Sequence, residues 1–103
     1  MRARYGVVCG VCPVSVPKIL EAAHIFEVRH GGSDDARNGL VLCPTHHRAF
    51  DKGLFAIDPE NTALVYKAKG PTKDDLRVTR DDLSHLSKQP HPDALRERYS
   101  RWK

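Results

Sequence analysis

No apolar run in this chain approaches the roughly 18 residues that a membrane-spanning helix needs. The opening Met-Arg-Ala-Arg-Tyr leads into no signal-peptide core. A cytoplasmic protein with no membrane partner is the expectation. Cysteine is scarce, and three residues cannot close a disulfide framework. Internal repeats and low-complexity tracts are absent, which excludes solenoid and fibrous classes. Neither charge dominates either half: residues 1–53 hold 7 basic and 5 acidic side chains, and the rest hold 10 and 8. No dedicated basic arm is present. Only Arg96 to Lys103 is locally basic, and it reads as a solvated helix face.

What remains is an ordinary globular composition, 40% hydrophobic and 29% charged, in 103 residues. That length predicts one domain spanning 1–103, with the chemistry concentrated at about 5–58 and a supporting segment at 59–103. So short a chain buries a modest share of its surface, and a metal staple would help it. The net charge of +4 favours a polyanionic partner.

The cysteines are spaced as ligands. Cys9-Gly-Val-Cys12 sets two thiols one tight turn apart, and Cys43-Pro-Thr-His46 repeats the gap with an imidazole in place of one thiol. Zinc takes four N or S donors tetrahedrally, so two such turns make one closed, structural Zn2+ site. The competing readings are a redox dithiol at Cys9/Cys12 and three unrelated buried thiols. The second half-site argues against both.

Local signals order the elements. Lys18 to Phe26 fits strand or helix by periodicity alone, but its length and Gly-rich sequel favour a strand, near Leu20 to Ile25, with a polar Gly-containing loop from about Val28 to Arg37. Gly39 to Cys43 reads as a buried strand, and Pro44 opens a helix running to Asp51 and stopping at Gly53. Leu54–Asp58 and Ala63–Lys67 predict a hairpin, Lys73 to Ser87 a short helical turn or two, and a last helix is expected after Pro92. The fold class is therefore α+β.

With the zinc ligands set aside, Ala22-Ala-His24-Ile, Asn38-Gly-Leu and His47-Arg-Ala-Phe-Asp51 stand in order, interleaved with the thiol half-sites. In this pattern the chain resembles the HNH endonucleases, from Arg2 to about Asp58. The resemblance implies a ββα-metal fold and a metal-dependent DNA endonuclease leaving 5′-phosphate and 3′-hydroxyl ends. It implies His24 as general base, Asn38 bridging loop backbone to hold His24, and His47 on a catalytic Mg2+ or Mn2+. His46 and His47 remain exchangeable as zinc ligand, with His46 favoured by its two-residue gap. Ala23 departs from the family, where an Asp or His often precedes the base, so a carboxylate from Asp51, or less favourably Glu21, is expected to complete the sphere.

Arg29, His30, Arg37 and Arg48 lie beside these motifs and are candidate phosphate contacts. In the matching branch the module often serves restriction enzymes, some directed at modified DNA, with a separate reader of the target. Such a reader is not recognisable here, so a homodimer, or a recognition domain or subunit elsewhere, is implied as partner. The alternative function is a zinc-stabilised nucleic-acid-binding module without cleavage, for which Ala23 argues.

Overall fold

Two short antiparallel strands and the helix that follows them organise the N-terminal half of the computed structural model, which describes residues 2–26 and 35–102. After a first helical turn, α1 (Arg2–Tyr5), strand β1 (Glu21–His24) pairs with β2 (Gly39–Leu42). Glu21 lies opposite Leu42, and His24 opposite Gly39. All four residues of β2 are buried, which is why its sequence is a continuous apolar run rather than an alternating one. In β1 only Ala23 is fully buried.

Helix α2 (Pro44–Asp51) follows β2 with Cys43 as its N-cap and proline in the first turn, where a missing N–H costs no hydrogen bond. It ends in a Schellman arrangement: Gly53 N–H donates to Phe50 O (3.0 Å) and Leu54 N–H to Ala49 O (2.9 Å). Gly53 sits at φ +71, a conformation that a residue with a Cβ adopts only with strain.

The hairpin expected next is present but short, with β3 (Ala56–Ile57) against β4 (Leu64–Val65). Over Lys73 to Ser87 the helical turn is limited to one, closed by Leu76 N–H donating to Thr72 O (3.1 Å), and no helix follows. Thr72 and Asp75 cap each other's backbone N–H groups (3.0 and 3.1 Å) as at a helix start, but Arg77 then turns to φ 58 and the helix is not propagated. The last helix, α3 (Pro92–Trp102), forms as expected.

One cluster of buried side chains runs from Tyr5 to Leu95. Phe50, Phe55, Ile25, Leu40, Leu42, Leu83 and Val11 are its largest fully buried members. Thr79 N–H donates to Val11 O (2.9 Å), so the C-terminal segment packs directly on the N-terminal knuckle. Among the described residues, no helix is long and apolar enough to cross a membrane.

Candidate functional site

Cys9, Cys12, Cys43 and His46 are all buried, with their donor atoms within 4.8 Å of one another. The knuckle is held by Cys9 N–H donating to Val14 O, and is stitched to β2 by Gly10 N–H donating to Val41 O, both at 2.8 Å. Cys43 and His46 arrive on the first turn of α2. Cys12 Sγ lies 3.9 Å from Cys43 Sγ, and His46 Nδ1 lies 3.2 Å from Cys43 Sγ and 3.7 Å from Cys9 Sγ. A tetrahedron with zinc–sulfur and zinc–nitrogen bonds of ordinary length has edges of about 3.5–3.8 Å. The three spacings, 3.2–3.9 Å, bracket it, and the four donors converge within 4.8 Å.

The tautomer agrees as well. His46 Nε2 lies 2.7 Å from Leu76 O, a pure acceptor, so Nε2 carries the proton and Nδ1 turns its lone pair to the thiols. Burial pushes the Cys12 thiol up to about 12, so without a cation the pocket favours the neutral thiol. Three soft sulfurs and one imidazole, buried and convergent, are the donor set of a structural zinc site.

His47 is the next residue on α2 and stands outside this cluster. Its Nδ1 lies 2.9 Å from Glu21 Oε1 on β1, and its Nε2 lies 3.3 Å from Asp51 Oδ2 one turn along the helix. The imidazole is about a quarter exposed and both carboxylates about half, so the group is open to solvent and ligand. The sequence ranks Asp51 above Glu21 because i and i+4 share a helix face. The strand pairing brings Glu21 closer still.

At the far end of β1, His24 is half-buried. Strand alternation sets it on the opposite face from Glu21 and Ala23. The backbone beyond it is fastened to Asn38: Ile25 N–H donates to Asn38 O (3.1 Å), the Asn38 amide accepts from Phe26 N–H, and it donates to Phe26 O, both at 2.8 Å. Asn38 is buried, with its amide oxygen and nitrogen each engaged.

The candidate phosphate contacts fare differently. Arg37 is exposed but held by Asp35 through two bonds of 3.1 Å, and this pairing lowers the Asp35 carboxyl to about 2. Arg48 is exposed on α2. Arg29 and His30 lie outside the described residues.

Arg98 contradicts the reading of the basic tail as a uniformly solvated face. It is half-buried over the Phe50 ring (3.7 Å) and donates to Ile25 O (3.1 Å) and Phe50 O (2.5 Å). It thereby ties the end of β1 to the end of α2. Its sequence signal was only a charge on a helix, and what it reaches lies 48 and 73 residues away.

A β-ribbon carrying His24, a helix carrying His47 and a thiol-imidazole cluster at their junction together define a ββα nuclease core. The sequence model described as HNH endonuclease matches residues 7–58, and the chain belongs to that family. Among solved structures it is similar to a modification-dependent TagI restriction endonuclease, with TM-score 0.74 and 24% identity, over 97% of this chain and 35% of that one. The chain thus spans about a third of the length of that relative. No curated protein matches it.

Proposed function

We propose that this nuclease is a single divalent-metal-dependent domain that cuts DNA within a restriction-type system. The observation that carries the reading is the placement of His47, between two half-exposed carboxylates on an open face, beside His46 in the buried thiol cluster. Adjacent imidazoles thus serve one structural and one catalytic site.

His24 is the proposed general base, accepting a proton from the attacking water as the water oxygen bonds to phosphorus and the bond to the 3′ oxygen breaks. Asn38 positions it by locking the backbone of Phe26, two residues on. His47 holds the ion through one ring nitrogen. Glu21 and Asp51 flank opposite nitrogens, so one serves as a further ligand and the other orients the ring through the remaining N–H. Such an imidazole-and-carboxylate set would suit magnesium or manganese, which accept water and phosphate oxygens beside protein ligands. When bound, such an ion would stabilise charge on the scissile phosphate and on the leaving 3′ oxygen, which takes its proton from water. The buried thiol cluster takes no part.

Similarity to a modification-dependent restriction enzyme over only part of its length supports a nuclease module whose target is read elsewhere, by another domain, a subunit or a second copy. The experiment is plasmid cleavage by the zinc-loaded protein with magnesium or manganese, beside His24→Ala checked for zinc and fold. Metal-dependent nicking abolished in the variant supports the reading. Wild-type DNA binding with no cleavage in either metal replaces it with a nucleic-acid-binding module.

A further inference from the structure

A cleft of about 470 Å³ opens where the ends of β1, α2 and α3 meet. Its lining includes four cations, Lys52, Lys67, Arg98 and Arg101, against one acid, Asp51. That acid is also the one 3.3 Å from His47, so it marks the end of the cleft nearest the candidate catalytic residues. Ile25 and Phe26, directly after His24, form the adjoining wall. A polyanion held at His47 has this cleft as its continuation past Asp51.

The four cations divide by what already holds them. Arg98 is engaged with the carbonyls of Ile25 and Phe50 and fixes the floor. Lys67 Nζ donates to Trp102 O (2.9 Å) and lies 4.6 Å from the Trp102 ring centroid. Lys52 and Arg101 are exposed at the mouth, Arg101 over the Phe26 ring at 5.4 Å. Two exposed cations over a preformed floor suit phosphate groups spaced along a backbone. The cleft offers them point charges rather than amide edges, so contact there positions the strand without reading bases.

We infer that this cleft is the seat of the DNA backbone flanking the scissile phosphodiester, with Lys52 and Arg101 as its phosphate contacts. The inference rests on the proposed nuclease reading for its substrate, but binding tests it separately from cleavage. Each phosphate contact releases condensed counterions, so its loss flattens the salt dependence of binding by about 1 in slope.

The test measures affinity of the full zinc-loaded chain for two duplexes of unrelated sequence by fluorescence anisotropy across a salt series. Wild type is compared with Lys52→Gln/Arg101→Gln and with Lys18→Gln/Lys88→Gln, which removes the same charge from exposed sites outside the cleft. The expected result is a slope lower by about 2 for the cleft variant on both duplexes, with little change in the control. A slope equal to wild type, or an equal fall in both variants, overturns the cleft while leaving a cleaving wild type a nuclease. A wild type that cleaves but whose binding is insensitive to salt overturns it too. Binding without cleavage, with the expected slopes, retains the cleft and removes the nuclease reading.

Discussion

The amide of Asn38 closes on both backbone groups of Phe26, accepting from its N–H and donating to its C=O at 2.8 Å each. An Asn side chain presents a donor and an acceptor in one plane, which no carboxylate or hydroxyl reproduces. Asn38→Ala leaves two backbone groups without that partner and is expected to cost about 2–3 kcal/mol. Asn38→Asp keeps the acceptor but sets a carboxylate oxygen against Phe26 O, and should be nearly as costly. Thermal melts of the zinc-loaded variants measure the cost. Nicking that falls further than the folded fraction does would show a positioning role.

The thiol cluster is expected to hold the fold together. Structural zinc contributes on the order of 10 kcal/mol or more in small domains, comparable to the whole stability of a chain this size. Chelation should therefore destabilise the fold strongly, and Cys12→Ser should not retain zinc. The pH dependence has two signs. In the metal-free chain the raised Cys12 value favours the protonated fold, a contribution present below pH 9 and lost as pH rises toward about 12. Zinc must expel that proton, so its affinity should rise with pH. Thiol titration alongside metal release checks both, and thiols that react while zinc stays bound would restore the redox dithiol reading.

His47→Ala should retain zinc and fold yet lose nicking, because the ring lies outside the buried cluster. Glu21→Gln and Asp51→Asn should each lower activity by about 10–100-fold, the range for groups that ligate or orient a metal-bound imidazole. The variant that loses the direct ligand should be rescued more by raised manganese. Activity unaffected by either carboxylate change would remove both from the site.

Arg98→Ala should destabilise the protein by about 3 kcal/mol, since it deprives the Ile25 and Phe50 carbonyls of a charged donor and bares the Phe50 ring. Arg98→Lys should recover only part, because an ammonium cannot present the planar fork. Urea melts with unchanged zinc content separate this from loss of the metal. A loss within experimental error of zero would return Arg98 to the solvated face that its helix position suggests.

Spacing and punctuation were enough for β2 and α2, because what specifies them is local, whereas β1 fitted strand or helix by period and was told apart by its length and Gly-rich sequel. Pro44 opens the helix, Gly53 closes it, and the apolar run of β2 announces burial on both faces. The two CxxC-like half-sites were equally legible, since a turn sets each ligand gap before any tertiary contact forms. Tertiary packing decided the rest. Thr72 and Asp75 cap a helix start that Arg77 ends after one turn, and no periodicity revealed where it would stop. Glu21 meets His47 across 26 residues, and Arg98 reaches β1 and α2 from the far end of the chain. A charge on a short helix looks the same in sequence whether it faces water or a carbonyl. Only the docking of α3 distinguishes Arg98, committed to the backbone, from Arg101 at the open mouth of the cleft.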